Sequence, residues 1–142
     1  MEKCDTNVQQ FLVNEFDSWL DQLGQQSYKA NHRHLLVLSG NSEWANKMAQ
    51  RTFLHFQQSR ILPQPFSCVV WGNGFSQAPD YVVSNYRHQL GGENHLVIYA
   101  DEHFHPDAFA ALSGTVVSGG LMVWMCSSEL INDKNNFFVQ RF

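Results

Sequence analysis

Strand-like and helix-like segments alternate along this 142-residue chain, and that order limits its possible folds more than any other feature. Four short apolar runs predict buried strands, because strands covered on both faces are almost continuously hydrophobic. These runs are "HLLVLSG" (34–40), "PFSCVVWGNG" (65–74), "HLVIYA" (95–100) and "GLMVWMC" (120–126). Helices are predicted for residues 6–23, for a segment with Ser42 as its N-cap, and for residues 79–92 and 106–114. Such alternation is typical of a parallel sheet with helices on both faces.

The helix predictions rest on apolar residues with a 3.6-residue period and on residues that cap helix ends. In residues 6–23, Thr6 and Gln9 match a capping box, and Gly24 is a natural helix stop. Pro106 would take the first position of the last helix, where proline is favoured. We predict a three-layer α/β/α domain of flavodoxin- or Rossmann-like type, in which an N-terminal helix precedes a mainly parallel sheet of about four strands. The predicted strand order is 2-1-3-4, with strands numbered along the chain.

The composition suits a single globular domain that spans residues 1–142. Hydrophobic residues make up 44% of the chain and charged residues 15%, which excludes a disordered chain. The net charge of −4 argues against a freestanding nucleic-acid binder, because such proteins neutralise phosphates with a basic excess. We see no signal peptide and no apolar run of the roughly 18 residues that a membrane span needs. The widely separated Cys4, Cys68 and Cys126 favour a reducing, cytoplasmic location and no membrane partner.

In a parallel sheet, ligands bind beyond the carboxyl ends of the strands, near the point where the strand order reverses. The predicted strand ends are polar, which suits either a ligand pocket or loops that face water. The residues of the candidate cofactor pocket are Ser39, Gly40, Asn41, Ser42, Asp101 and Glu102. A P-loop is excluded, because "SGNSEWANK" after the first strand lacks the glycines and the lysine position of that motif. "GNGFSQA" (72–78) shares only two glycines with a dinucleotide-binding loop.

The stretch "YADEHFHPDAFAALSGT" (99–115) places two histidines and three carboxylates close together. Two histidines and a carboxylate could bind zinc, with His103 and His105 on one face of an extended segment. However, apolar residues interleave with them, and no closing ligands are evident. The simpler interpretation is a helix entrance, with His105 at the N-cap, Pro106 at the first helical position and Asp107 near the positive end of the helix dipole. We therefore predict no metal site and no catalytic residue in this chain, and a hydrolase that uses this loop is a third hypothesis for its function.

Four basic residues are candidates for RNA binding: Lys29, Arg33, Lys47 and Arg51. Lys29 and Arg33 precede the first strand, and Lys47 and Arg51 lie one helical turn apart. Basic residues on a solvated surface need no ligand, so both interpretations remain open.

Two segments carry a family resemblance. They are "RHLLVLSGNSEWANKMA" (33–49) and "LGGENHLVIYADEHFHPDAFAALSGTVVSGGLMVWM" (90–125), and the densest part of the second is "FAALSGT" (109–115). Together they resemble the N-terminal domain of the bacterial tRNA(Met) cytidine acetyltransferase family, TmcA. The closing "FFVQRF" (137–142) is similar to the start of that family's next helix. The family pattern rests on Phe104 and "FAALSGT" and leaves out the two histidines, which favours the helix entrance over a metal site.

The resemblance implies that the chain is the N-terminal piece of a longer enzyme. In that family this domain precedes a helicase-like ATPase module, a GNAT acetyltransferase domain and an RNA-binding tail, which are its expected partners. The parent enzyme is expected to use acetyl-CoA and ATP with Mg²⁺ to acetylate N4 of the wobble cytidine in elongator tRNA(Met). No catalytic motif of the family falls within these residues, so no cofactor is expected in this piece. The alternative is a freestanding flavodoxin-like domain that binds a small ligand or nucleotide.

Overall fold

The computed structural model of the chain describes residues 14–23, 25, 32–58 and 66–127, and these form a layered α/β structure. Its helices are α1 (14–23), α2 (Ser42–Gln58) and α3 (Pro106–Ser113), with two 3-10 turns at Pro79–Tyr81 and Tyr86–Gln89. Its strands are β1 (His34–Gly40), β2 (Cys68–Trp71), β3 (Val82–Val83), β4 (Asn94–Tyr99) and β5 (Val116–Ser127). The five strands form one sheet in the order β1-β5-β4-β2-β3, and all pairs are parallel. The prediction of an α/β fold with a parallel sheet is confirmed.

The sheet packs apolar side chains on both of its faces, as a three-layer fold requires. Because side chains alternate along a strand, Leu96 and Ile98 of β4 pack toward α1 and α2, whereas Val97 and Tyr99 pack toward α3. All four are fully buried. Buried strands of this kind are the near-continuous apolar runs that the sequence showed.

The predicted strand order 2-1-3-4 is wrong, because the first strand pairs with the last one, β1 with β5. The burial pattern gives the physical reason. Leu121 and Met122 of β5 are buried on opposite faces of the sheet, so β5 is best stabilised between two neighbouring strands. In β1, Leu35 and Val37 remain 44% and 40% exposed, as suits a strand at the sheet edge.

Two local predictions are also wrong. The N-cap of α2 is Asn41 and not Ser42, because Asn41 Oδ1 accepts hydrogen bonds from the backbone N–H groups of Glu43 (2.8 Å) and Trp44 (3.4 Å). Residues 79–92 are not a helix but two 3-10 turns around β3. The β-branched pair of β3 pairs in parallel with β2, where it extends the sheet.

Some predictions lie outside the described residues. They are the capping box of Thr6 and Gln9, the helix stop at Gly24, and the closing "FFVQRF". Within the part of the chain that the structure describes, no helix is long and apolar enough to cross a membrane.

A buried hydrogen-bond network holds the end of α3 against the sheet. Thr115, which is 3% exposed, donates through Oγ1 to the carbonyl oxygen of Leu112 (2.7 Å) and accepts from Asn94 Nδ2 (3.0 Å). Asn94 Oδ1 in turn accepts from Ser67 Oγ at 2.8 Å. Thr115 therefore connects α3 to the first residue of β4.

Thr115→Val should lower the free energy of unfolding by about 1–3 kcal/mol, because the substitution keeps the shape and leaves buried polar partners unsatisfied. Urea denaturation measures the loss. Ser113→Ala is the matched control, since the Ser113 hydroxyl also donates to a helix carbonyl but lies at the surface. Equal losses in the two variants would contradict the role assigned to the buried network.

Candidate functional site

The strand order creates a topological switch point between β2 and β4. These strands are neighbours in the sheet, but the chain leaves β2 toward β3 at one edge and leaves β4 toward β5 in the opposite direction. Ligands of open parallel sheets bind in the crevice beyond the carboxyl ends of two such strands. The candidate site is therefore the region beyond Trp71 and Tyr99.

The turn after β2 closes this crevice with backbone contacts. The Gly74 N–H donates to the carbonyl oxygen of Ala100 (2.8 Å), and the Ala100 N–H donates to that of Trp71 (2.7 Å). Gly72 has a φ of +93°, and a Cβ placed on it would lie 2.5 Å from the Ala100 oxygen. Glycine is required here because two backbone segments touch, so these glycines do not form a phosphate cradle.

Asp101 organises the loop that follows β4. Its Oδ1 accepts from the His103 backbone N–H at 3.0 Å, and its Oδ2 accepts from the Trp71 indole N–H at 3.1 Å. The same Oδ2 lies 3.6 Å from His105 Nε2. Its hydrogen bonds join the loop to β2, so the carboxylate has a structural role.

The last part of this loop is the entrance to α3, as predicted. His105 is the N-cap residue, Pro106 stands in the first turn and Asp107 is the acidic residue beside the helix start. The His105 N–H donates to the Tyr99 hydroxyl at 2.9 Å, and that hydroxyl lies 3.4 Å from the His105 carbonyl oxygen, to which it donates. Burial raises the pKa of Tyr99 to about 12, so the phenol stays protonated and holds the N-cap backbone.

Phe104 anchors the same loop to a buried cluster of aromatic rings. Its side chain is 6% exposed, and its ring centroid lies 5.1 Å from those of Phe109 and Trp124 and 5.6 Å from that of Tyr99. Tilted rings at these distances add to the stabilisation from buried area. Phe104, the apolar residue between His103 and His105, thus anchors the loop to the core.

A pocket of about 320 Å³ lies beside this entrance, on the α3 side of the switch point. It is lined by Trp71, Tyr86 and the first residues of α3, from His105 to Ala108. The Trp71 and Tyr86 rings stand at 72° with centroids 5.9 Å apart, so they form two walls of a corner. The pocket combines aromatic walls with carboxylate and imidazole groups at its rim.

Comparison with known families matches this chain to the N-terminal domain of tRNA(Met) cytidine acetyltransferase TmcA, over residues 9–137. The chain belongs to this family. The resemblance found in the sequence is therefore confirmed. A comparison with curated proteins gave no match.

The TmcA-type segment "FAALSGT" has a structural role in this domain. Phe109 joins the aromatic cluster, Leu112 is fully buried, and Gly114 caps the end of α3. Thr115 holds the buried network at the start of β4. This segment thus attaches α3 to the sheet.

The predicted pocket residues do not come together in this TmcA domain. Ser39–Ser42 lie at the carboxyl end of β1 and the start of α2, and β5 lies between β1 and β4. Two strand spacings, about 10 Å, therefore separate them from Asp101. None of the six predicted residues lines the pocket. Asp101 is connected to it indirectly, because its Oδ2 accepts a hydrogen bond from the indole N–H of Trp71, which is a lining residue. Among the described residues, no three His, Cys, Asp or Glu side chains are placed to hold a metal ion.

The described residues among the predicted RNA-binding set lie on two segments, with Arg33 before β1 and with Lys47 and Arg51 on α2. Arg33 donates to the carbonyl oxygen of Val116 (3.2 Å), at the amino end of the sheet. Arg51 forms a two-bond ion pair with Asp17 of α1, whereas Lys47 is exposed on α2. Lys29 lies outside the described residues. Arg51 therefore connects two helices of this domain.

Sequence reasoning missed Trp71 and Tyr86 as pocket residues. Trp71 ends an apolar strand, and Tyr86 lies in a segment predicted to be a helix. Trp71 could have been found as an aromatic residue at the carboxyl end of a strand beside the switch point. The position of the switch point, however, follows only from the strand order.

Proposed function

We propose that this chain is the non-catalytic N-terminal domain of an enzyme that forms N4-acetylcytidine at the wobble position of elongator tRNA(Met). The observation that supports this proposal is the family match over residues 9–137. The parent enzyme would use acetyl-CoA together with ATP and Mg²⁺, and it would bind both outside this domain. This domain would pack on the helicase-like ATPase module and help to position tRNA.

Several of the described side chains that could act as acids, bases or nucleophiles have structural roles instead. Asp101 and Tyr99 are engaged in holding the α3 entrance. Burial raises the pKa of the Cys68 thiol to about 12 and also raises that of Cys126, which keeps both thiols protonated and unreactive. These groups hold the fold and are poorly suited to act as nucleophiles or bases.

The glycines after β2 do not fit a nucleotide phosphate. The Gly74 N–H is already bound to Ala100, and Gly72 lies against the Ala100–Asp101 backbone. A phosphate cradle needs backbone N–H groups that point to the ligand. The turn after β2 therefore does not offer such a cradle.

Exposed apolar residues support the packing role. Leu35 and Val37 lie on one face of β1, and Leu54 of α2 is 40% exposed. Interfaces between domains of one chain bury on the order of 600–1,500 Å². The net charge of −4 makes weak tRNA binding by the domain alone the expected behaviour, because few counterions are released.

Deletion of residues 1–142 from the full-length enzyme should abolish or uncouple its RNA-stimulated ATP hydrolysis and lower cytidine acetylation, while acetyl-CoA still binds. A soluble, folded deletion variant with full activity on tRNA would refute the proposal.

The double variant Leu35→Ser with Val37→Ser should show the same defect in weaker form if β1 faces the ATPase module. Leu90→Ser is the matched control, since Leu90 is 62% exposed elsewhere on the surface.

A second candidate function, a freestanding domain that binds a nucleotide or small ligand, is favoured by the pocket at the switch point. Calorimetric titration of the chain with Mg-ATP separates the two functions. Saturable micromolar binding would favour the second, and absence of heat would favour the packing domain.

A further inference from the structure

The pocket between the Trp71–Tyr86 corner and the start of α3 combines aromatic surface with negative charge. Asp107 lines it, and Asp101 accepts a hydrogen bond from the indole N–H of Trp71, which also lines it. Glu102 adds a third carboxylate in the loop that follows β4, and among the described residues Arg87 is the strong cation that lies beside Tyr86. The carboxylates around the pocket therefore favour a positively charged ligand.

The ring faces of this corner suit a cation. A positive group placed over an indole or phenol ring is attracted by the electrons of the ring, and arginine also stacks on it through its planar guanidinium. The Arg87 guanidinium carbon already lies 6.0 Å from the Tyr86 ring centroid, at the outer limit of such contacts, and Arg87 does not line the pocket.

The carboxylate at the rim distinguishes between possible cations. A guanidinium can offer two parallel N–H groups to a carboxylate while its plane lies on a ring, and an ammonium group cannot. RNA is disfavoured, because its phosphates would approach the carboxylate of Asp107, which lines the pocket. The volume of about 320 Å³ is at the lower end of the range for ligand pockets, which favours one side chain over a nucleotide.

We propose that this pocket receives an arginine side chain from a basic segment of a protein partner. The guanidinium lies against the Trp71 and Tyr86 rings, and the Asp107 carboxylate forms an ion pair with it. Asp101 supports the site by holding the Trp71 indole in position. The proposal rests on the pocket alone and does not depend on the reaction of the parent enzyme.

The test is an NMR titration of the ¹⁵N-labelled chain with Nα-acetyl-arginine methylamide. The same titration with the citrulline analogue, which has the same shape and no charge, is the ligand control. We expect saturable shifts of the Trp71 indole N–H and the Ala108 amide with the arginine probe, with a dissociation constant on the order of ten millimolar or weaker, because one cation–π contact and one exposed ion pair together provide less free energy than millimolar binding needs. The citrulline analogue should give no saturable shift.

Asp107→Asn should weaken binding of the arginine probe about twofold to fivefold, the range for an exposed ion pair. Glu93→Gln changes the net charge equally at an exposed residue before β4 and should leave binding unchanged. Three results would overturn the proposal: no saturable shift at Trp71, equal binding of the citrulline analogue, or tighter binding of cytidine monophosphate, which would indicate a nucleobase site instead.

Discussion

Gly72→Ala should destabilise the domain by about 3 kcal/mol or more, because a positive φ in a non-glycine residue costs on the order of 1–3 kcal/mol and a steric clash is added to it. The φ of Gly72 is +93°, and the new Cβ would lie 2.5 Å from the carbonyl oxygen of Ala100 and 2.6 Å from Asp101 Cα. Both contacts are with backbone, which cannot move aside as a flexible side chain could. The β2 turn and the β4 loop would have to separate, and the hydrogen bond from Gly74 to Ala100 would weaken.

Gly91→Ala is the control that separates strain from clash. Gly91 has a similar φ of +82°, but a Cβ there would meet no atom within 4 Å. Its cost should be limited to roughly 1–2 kcal/mol, the conformational penalty for a side chain at positive φ. Urea denaturation of both variants measures the difference in the free energy of unfolding. If the two alanine variants lose equal stability, the backbone contact does not contribute as described.

Phe104→Ala should lower the free energy of unfolding by about 3–5 kcal/mol, because a buried aromatic ring is replaced by a cavity. Phe104 is 6% exposed and contacts three other aromatic rings with centroids between 5.1 and 5.6 Å away. Typical domains have only about 5–15 kcal/mol of stability, so the variant loses a large share of it. The change in the urea midpoint at constant m-value measures the loss.

His103→Ala is the matched control in the same loop. His103 is exposed, and the hydrogen bond it makes to Asp101 comes from its backbone N–H, which alanine keeps. Its stability should change by no more than about 0.5 kcal/mol, as for most surface substitutions. A large loss for His103→Ala with a small loss for Phe104→Ala would show that the histidines, and not the aromatic anchor, hold this loop.

The local features of the fold could be predicted from the sequence because their causes are local. The predicted strand at 34–40 coincides with β1, and the predicted helix at 106–114 agrees with α3 within one residue. Apolar runs and the 3.6-residue period depend only on neighbouring residues. The helix entrance at His105 and Pro106 was predictable for the same reason, since proline at the first turn follows from its own backbone geometry.

In residues 79–92, local sequence patterns predicted the wrong secondary structure. The sequence predicts a helix here that stops at Gly91, but Val82 and Val83 instead pair with β2 in the sheet. Tyr81 packs against Phe53 and Phe66 on the α2 face, while Tyr86 packs on the α3 face. A segment whose side chains divide between the two faces of a sheet gains more from these contacts than from its weak helix propensity.

By itself the sequence determined the fold class, the family and the helix entrance at His105 and Pro106, because each depends on short segments of the chain. The tertiary structure alone decided the strand order, and through it the site. The switch point exists only because β2 and β4 are neighbours while their connections diverge. That arrangement brings Trp71, Tyr86 and Asp107 from three separate segments to one pocket and leaves Ser39–Ser42 two strands away. Contacts between distant segments depend on how whole faces are buried, which no local pattern contains.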